Sequence, residues 1–315
     1  SLSVETVVSS IAPNPELSHL QSLMESIQSA SYEVLVAIGG GSVIDAAKAL
    51  SLVQPKGVVP DLRSVLSNGS ASDEIVSVPI IAVPTTSGSG SEVTPWATVW
   101  DSEQTRKYSL HRTALWPEAA VCDPLACVSM PRELTLHTAL DSLSHSLESI
   151  WNQNANPIST SHAIAAARRI VVTLPDLLED LENVHLRREM MLSSLQAGLA
   201  FSNTGTATAH AISYYLTMKH DVPHGIACSF TLPELIDAVV GSNTDVDNAL
   251  VSIFGSATSA RLRDFYSSLE VPTRFTEFGM AQEELEFLYQ TAESSGRAKN
   301  SLVDIRLFAN RPSLW

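Results

Sequence analysis

The sequence predicts an α/β N-terminal domain with a parallel sheet, followed by an all-α C-terminal domain. Short apolar runs alternate with helical stretches as far as Asp123, and after Pro124 the periodicity is almost entirely helical. We assign to the sheet the runs at 34–38, 78–83, 97–100 and 119–122. Amphipathic helices are predicted near 132–151, 158–172, 184–201, 206–218 and 282–294. The predicted domains are therefore 1–127 and 128–315.

A glycine-rich turn joins the first apolar run to a helix in YEVLVAIGGGSVIDAAKAL. The helix begins near Ser42, so its free N–H groups and the positive end of its dipole can hold a pyrophosphate. The spacing departs from G-x-G-x-x-G after Gly41, because Val43 and Ile44 follow. Taken alone, the turn is equally compatible with a tight turn that binds no ligand.

A second glycine-rich turn follows another apolar run in VPIIAVPTTSGSGSEVT. Its hydroxyl groups surround Gly88 and Gly90 and belong to Thr85, Thr86, Ser87 and Ser89. Two such turns after two strands predict a nucleotide crevice at the carboxyl ends of a parallel sheet. No lysine follows the glycines, which excludes a P-loop.

Two clusters of residues later in the chain are candidate metal ligands. Asp141 and His145 are four residues apart in a predicted helix, beside a stripe of leucines, and therefore project from the same face. His210 lies in the small, apolar segment TGTATAHAISYYL, and His224 lies between Pro223 and Gly225. One carboxylate and three imidazoles suit a divalent transition metal. The alternatives are a surface or helix-pairing role for the first pair and a hydrogen-bonded core position for His210.

Four motifs together, in this order, resemble the iron-containing (group III) alcohol dehydrogenases, whose architecture is dehydroquinate synthase-like. They are AIGGGSVIDAAKA, PTTSGSGSEVTPWA, DSLSHSLES and the pair His210 and His224, and the resemblance covers residues 14–300. It implies a metal ion, usually Fe²⁺ with Zn²⁺ as the alternative, bound by Asp141, His145, His210 and His224. It also implies NAD or NADP, contacted by Gly40, Gly41, Ser42, Thr85, Thr86, Thr94 and Lys107.

The chain departs from the family pattern in two places. Many members have a second histidine four residues after the third ligand, where this chain has Tyr214. A phenol can pass a proton through a bound water, so Tyr214 is the candidate proton relay, with direct transfer from water as the alternative. The family also has a strand and helix before the stretch that begins at Ser1, with the acidic residue that selects NAD or NADP. We expect those residues to precede this sequence.

Composition restricts the partners of the protein. With 19 basic and 34 acidic residues the net charge is -15, which argues against nucleic acid and anionic membranes. The sequence contains neither an apolar run that could span a bilayer nor a signal-peptide pattern at its start. Its three cysteines lack C-x-x-C spacing, as expected of reduced cysteines in a cytoplasmic protein. We expect the protein to act on a small-molecule aldehyde or alcohol and to form a homodimer.

The resemblance implies a metal-dependent, NAD(P)-linked alcohol dehydrogenase or aldehyde reductase, with its active site in a cleft between the domains. Segments such as TVWD, KYSL and LESIWNQNANPIS are similar to those of phosphonoacetaldehyde reductases, which form 2-hydroxyethylphosphonate. A phosphonate needs cationic partners, for which the candidates are Arg112, Arg132, Arg168, Arg169 and Lys219. The alternatives are an oxidoreductase of the lactaldehyde or propanediol type, a dehydroquinate synthase-like lyase, and a non-catalytic binding protein.

Overall fold

The computed structural model describes residues 3–27, 30, 32–53, 59–67, 76–104, 106–308 and 311–315. The chain forms two compact units. The first comprises Ser1–Thr86 with Gly90–Cys127, and the second comprises Ser87–Ser89 with Val128–Trp315.

The first unit contains a parallel three-stranded sheet and helices packed beside it. Its strands are β1 (Leu35–Gly39), β2 (Leu52–Val53), β3 (Val76–Ser77), β4 (Ile80–Pro84), β5 (Trp96–Asp101), β6 (Arg106–His111) and β7 (Ala119–Ala120). Its helices are α1 (Leu17–Ile27), α2 (Gly41–Leu50) and α3 (Leu62–Ser67). The order in the sheet is β1-β4-β7, with both pairs parallel. Three of the four predicted strands are thereby confirmed.

The assignment of the run at 97–100 to the parallel sheet is wrong. This run forms β5, which pairs antiparallel with β6 from Trp96↔His111 to Asp101↔Arg106. The connection between β5 and β6 is too short for a crossover, and strands joined by a tight turn pair antiparallel. The apolar pattern of 97–100 correctly predicts a strand, but it cannot specify the strand's partner.

A buried lysine and a half-buried aspartate of α2 hold the segment around the start of β5 in place. Lys48 is fully buried, and its Nζ donates to the carbonyl oxygens of Ser91 and Trp96, both at 2.7 Å. The Asp45 carboxylate accepts from Ser91 Oγ at 2.6 Å and from the Thr98 N–H at 2.8 Å. Buried polar groups are tolerated when they are hydrogen-bonded, so this network fixes the chain that follows the second glycine-rich turn.

The second unit is helical. Its helices are α4 (Arg132–Ile150), α5 (Pro157–Glu179), α6 (Val184–Thr204), α7 (Thr208–His220), α8 (His224–Ala227), α9 (Leu232–Val239), α10 (Thr244–Phe254), α11 (Thr258–Ser268), α12 (Leu285–Ser294) and α13 (Ile305–Phe308). The leucine stripe of α4 is buried as predicted, since Leu140, Leu143 and Leu147 are inaccessible. The predicted helices omit α9, α10 and α11. Of these, α9 is only eight residues long and begins without a side-chain hydrogen bond from its N-cap Thr231, so it lacks a clear start signal. Across the described residues, every helix is too short or too polar to span a membrane.

Candidate functional site

The predicted metal ligands converge within the second unit. Three imidazole nitrogens lie near Oδ1 of Asp141: Nε2 of His210 at 3.3 Å, of His145 at 3.6 Å and of His224 at 3.8 Å. Asp141 and His145 project together from α4, while His210 comes from α7 and His224 begins α8. Residues far apart in sequence thus place three imidazole nitrogens around one carboxylate oxygen.

The spacing of these atoms fits a transition metal ion. Metal to nitrogen or oxygen bonds are about 2.0–2.2 Å long, so neighbouring ligand atoms are about 3–3.6 Å apart. The three distances to Asp141 Oδ1 are close to that range. His145 Nδ1 is buried and has no hydrogen-bond partner among the described residues, which leaves Nε2 as the atom facing Asp141. One oxygen and three nitrogens match the donor preference of Fe²⁺ or Zn²⁺.

Glu148 supports the cluster from the opposite side of His210. Its side chain is inaccessible, and its Oε2 accepts the Nδ1–H of His210 at 2.7 Å. The same carboxylate accepts the N–H of Ala207 at 2.9 Å and of Ala209 at 2.5 Å, at the start of α7. A histidine that donates Nδ1–H to a carboxylate has its tautomer and ring orientation fixed, with Nε2 available for a metal. Glu148 therefore both caps α7 and orients His210.

The electrostatic environment favours an anionic Asp141 beside a neutral His145. Burial raises the pKa of the Asp141 carboxyl, but its electrostatic interactions with His145 and His224 and its hydrogen bond with His210 outweigh burial, and the net pKa is well below its usual range. Burial lowers the pKa of His145 to about 4, although the Asp141 charge opposes this shift. The His145 ring also stacks on Phe201 with centroids 4.0 Å apart. Ionised carboxylate and neutral imidazole are the forms that bind metals.

Cys228 is a further member of the cluster that the sequence did not indicate. Its thiol is buried and donates to Asp141 Oδ1 at 3.4 Å. Asp141, His210, His224 and Cys228 each offer a ligand atom within 4.8 Å of the others. Burial raises the pKa of this thiol, as do the nearby carboxylates. Cys228 is four residues after His224, and this i, i+4 relation is the only signal that could have identified it.

The two glycine-rich turns follow the adjacent parallel strands β1 and β4. The Thr85 N–H donates to the Gly39 carbonyl at 3.0 Å, which ties the turns together. A Cβ atom at Gly40 would lie 3.1 Å from Thr86 Cγ2, so glycine permits this close approach. Gly41 begins α2, with Gly40 as an extended N-cap. The predicted pyrophosphate turn therefore lies at a helix N-terminus.

Three other residues predicted to contact the dinucleotide, Ser42, Thr94 and Lys107, have different neighbours in the structure. Ser42 Oγ accepts from the Asn14 N–H at 3.3 Å. Thr94 is 2% exposed, and its hydroxyl accepts from Lys48 at 3.4 Å, so it belongs to the buried network of α2. Lys107 is half-buried on β6, with its ammonium 5.3 Å from the centre of the Trp100 ring. Contact of each with a dinucleotide stays a prediction.

Tyr214 and an arginine that the sequence did not indicate lie together beside α7. Tyr214 is one helical turn after His210 and therefore shares its face. The Arg297 guanidinium carbon is 4.9 Å from the centre of the Tyr214 ring. Burial raises the pKa of the Tyr214 phenol, while the Arg297 charge opposes that shift.

The arginine and lysine candidates from sequence have different surroundings in the second unit. Arg169 pairs with Glu189 at 2.8 Å between α5 and α6. Arg132, Arg168 and Lys219 are exposed. No motif drew attention to Arg297, because it follows α12 in a stretch without regular periodicity.

The chain matches the models of two families of known proteins. Residues 1–124 match "Iron-containing alcohol dehydrogenase", and residues 135–302 match "Fe-containing alcohol dehydrogenase family, C-terminal". The chain is 29% identical over 306 residues to the NAD-dependent methanol dehydrogenase of Bacillus methanolicus, covering 93% of this chain and 77% of that one. It is 34% identical over 218 residues to the phosphonoacetaldehyde reductase of Streptomyces viridochromogenes, covering 68% of this chain and 55% of that one.

A solved structure extends the similarity over almost the whole chain. The crystal structure of sulfoacetaldehyde reductase from Bifidobacterium kashiwanohense in complex with NAD⁺ aligns with a TM-score of 0.88 at 27% identity. The alignment covers 97% of this chain and 84% of that one.

Proposed function

This chain belongs to the iron-containing alcohol dehydrogenase family, and on that premise we propose that it reduces phosphonoacetaldehyde to 2-hydroxyethylphosphonate with a nicotinamide dinucleotide. Membership makes it an oxidoreductase that uses iron and NAD. The reaction moves a hydride from NADH or NADPH to the aldehyde carbon and a proton to the aldehyde oxygen, giving an alcohol and the oxidised dinucleotide.

The observation that carries the proposal is the convergence of Asp141 with Nε2 of three histidines. A ferrous ion held by these atoms supplies Lewis-acid polarisation of a carbonyl group. The residues themselves provide an anionic Asp141 carboxylate, a neutral His145 imidazole and the Glu148 carboxylate that orients His210. Residues fixed in this way incur little reorganisation when a substrate binds.

The dinucleotide is proposed to bind at the two glycine-rich turns. Backbone N–H groups of Gly41 and Ser42, at the start of α2, are suited to the pyrophosphate. The half-buried hydroxyls of Thr85 and Thr86 on the neighbouring turn would contact the rest of the cofactor. Lys107 would add a positive charge for the phosphates, and Thr94 would act by holding the turn through Lys48.

Tyr214 is the proposed donor of the proton to the product oxygen. It lies one turn from His210, on the helix that carries this ligand. Its raised pKa keeps the phenol protonated at neutral pH, as a proton donor must be. Water would then reprotonate the phenol between turnovers.

The proposed substrate is supported by a relative and by a structural neighbour. The similar Streptomyces viridochromogenes protein is a phosphonoacetaldehyde reductase, and the neighbour in complex with NAD⁺ is a sulfoacetaldehyde reductase. Both names describe a short aldehyde with a tetrahedral anionic group. Sulfoacetaldehyde is therefore the second candidate substrate, and short neutral aldehydes are the third, because another relative is a methanol dehydrogenase.

The deciding experiment measures NADH and NADPH oxidation by protein loaded anaerobically with Fe²⁺. The substrates are phosphonoacetaldehyde, sulfoacetaldehyde and propionaldehyde at equal concentrations. The proposal predicts the highest kcat/KM with phosphonoacetaldehyde. Equal values for the charged and neutral aldehydes would reject it, and absence of net NADH oxidation would favour a dehydroquinate synthase-like lyase or a non-catalytic protein.

The cellular location and assembly are also proposals. We infer a cytoplasmic location, since Cys122, Cys127 and Cys228 are free thiols, as in proteins of reducing compartments. A homodimer is proposed from the resemblance alone. Light scattering of the purified protein at several concentrations would test it.

A further inference from the structure

Arg297 is held beside α7 by two contacts. It follows Gly296, which adopts the left-handed conformation at φ 71°, and it begins a short 3₁₀ segment, Arg297–Asn300. Its Nη1 donates to the Thr206 hydroxyl at 3.1 Å, just before α7 begins, and its guanidinium lies over the Tyr214 ring. The side chain is half-buried, so its position is defined by the protein rather than by solvent.

The charge of Arg297 lies close to the metal-ligand cluster. Its guanidinium lies over the ring of Tyr214, and it contacts Thr206 two residues before α7, the helix that carries His210. Its ring partner Tyr214 is four residues after His210 on one face of α7. Four residues of helix rise about 6 Å, which is comparable to the length of an aldehyde with a two-carbon backbone and a tetrahedral head group.

No carboxylate among the described residues forms an ion pair with Arg297, whose partners there are the Thr206 hydroxyl and the Tyr214 ring. The other arginines of the second unit include several that pair with acids, such as Arg169 with Glu189 and Arg263 with Asp237. A half-buried guanidinium has five donors in a planar fork, and one bond to a hydroxyl leaves most of them available for an oxyanion.

We propose that Arg297 binds the anionic head group of the substrate, a phosphonate or sulfonate joined to the aldehyde by a short carbon chain. This inference rests on the proposed function and deepens it, because it identifies the residue that would discriminate charged from neutral aldehydes. Thr206 is a positioning residue in this scheme, since its hydroxyl accepts from the guanidinium and holds it beside α7. The guanidinium also lies over the ring of Tyr214, whose hydroxyl keeps its proposed role as proton donor.

A purely structural role for Arg297 makes a different prediction. If the residue only joined the 3₁₀ segment to α7, its removal would disturb His210 and lower activity on all aldehydes alike. A head-group role confines the loss to anionic substrates. The ratio of kcat/KM for phosphonoacetaldehyde to that for propionaldehyde therefore distinguishes the two roles.

The test compares wild type with Arg297→Leu and Arg297→Lys. For Arg297→Leu we expect kcat/KM on phosphonoacetaldehyde or sulfoacetaldehyde, whichever is preferred, to fall about 100-fold or more. Propionaldehyde turnover and metal content should change less than about threefold. Arg297→Lys keeps the positive charge but lacks the planar guanidinium with its five donors, so its decrease in kcat/KM on the anionic aldehyde should be intermediate. Arg188→Leu is the matched control, because that arginine is 62% exposed on α6, and it should leave the ratio unchanged.

Direct binding separates failure of this inference from failure of the proposed function. Calorimetric titration with 2-hydroxyethylphosphonate and with isethionate needs no turnover and identifies which anion is bound. The inference predicts that Arg297→Leu weakens binding of the preferred anion at least tenfold. It is overturned if Arg297→Leu retains that affinity or lowers activity on charged and neutral aldehydes equally. If wild type binds the anion but reduces no aldehyde, the proposed function fails and the binding role of Arg297 stands.

Discussion

The Nδ1–H of His210 donates to the buried carboxylate of Glu148 at 2.7 Å, and this hydrogen bond turns Nε2 toward Asp141. Because Glu148 also accepts three backbone N–H groups at the start of α7, one carboxylate connects the folding of that helix to the orientation of a metal ligand. A change at Glu148 should therefore affect both the start of α7 and the orientation of His210.

Replacing Glu148 with glutamine should weaken metal binding. The amide cannot accept all the N–H groups that the carboxylate accepts, so His210 loses its fixed orientation or a backbone donor loses its partner. We expect metal affinity to fall about 10- to 100-fold, measured by competition with a chelator. Glu189→Gln on α6 is the control and should retain wild-type affinity. An unchanged affinity in Glu148→Gln would show that Glu148 serves only to cap α7.

Removing the Asp141 carboxylate should abolish metal retention. Asp141 is the residue on which all three imidazoles converge, and without it the remaining cluster is neutral or positive. We expect Asp141→Ala to retain almost no metal after dialysis, by elemental analysis, and no measurable reductase activity. Asp264→Ala on the exposed face of α11 should keep both. Full metal content and activity in Asp141→Ala would refute the site assignment.

Replacing Tyr214 with phenylalanine should slow turnover without loss of metal. The substitution keeps the ring that contacts Arg297 but removes the phenol. Positioned proton donors contribute about 10²- to 10⁴-fold, so kcat should fall by about 100-fold. The neighbouring Tyr215→Phe is the control, since its hydroxyl donates to Glu284 at 2.8 Å. If Tyr214→Phe retains wild-type kcat, water donates the proton directly.

The stability contribution of Lys48 should increase at alkaline pH. Burial lowers the pKa of Lys48 to about 8 in the folded protein, against 10.5 for an unperturbed lysine. Between these values the unfolded chain binds more protons, so the free energy of unfolding rises with pH. Relative to Lys48→Met, wild type should gain up to roughly 3 kcal/mol from pH 8 to pH 10.5.

Urea unfolding at several pH values measures this gain. Lys219→Met, which removes an exposed lysine, should show no such change relative to wild type. A constant difference between wild type and Lys48→Met across this range would mean that the pKa of Lys48 is not lowered in the folded state.

Adding a methyl group at Gly225 should disturb His224. A Cβ atom there would lie 1.8 Å from the His137 carbonyl oxygen, which belongs to the backbone of α4 and cannot rotate away. We expect Gly225→Ala to lower the free energy of unfolding by about 3 kcal/mol and to weaken metal binding. Gly241→Ala is the control, because its Cβ meets no atom within 4 Å. Its positive φ should cost only about 1 kcal/mol, with metal affinity unchanged.

Much of the architecture is encoded in local patterns. Apolar runs before the glycine-rich turns predicted β1 and β4, and the spacing of leucines predicted α4 and its buried face. These predictions succeed because strand and helix periodicities are properties of neighbouring residues. The pairing of β5 with β6 was not predicted, because it depends on a surface contributed by another part of the chain.

The sequence by itself determined the family, the two glycine-rich turns and the four candidate ligands, since each follows from residue type and spacing. Only the tertiary structure decided that three Nε2 atoms converge on Asp141 Oδ1, that Glu148 orients His210, that Cys228 lies beside Asp141, and that Arg297 lies over the Tyr214 ring. The physical reason is that ligand distances, hydrogen bonds and electrostatic influence depend on separation in space. Residues such as Asp141 and His210, 69 positions apart, come within 3.3 Å only through the packing of α4 against α7.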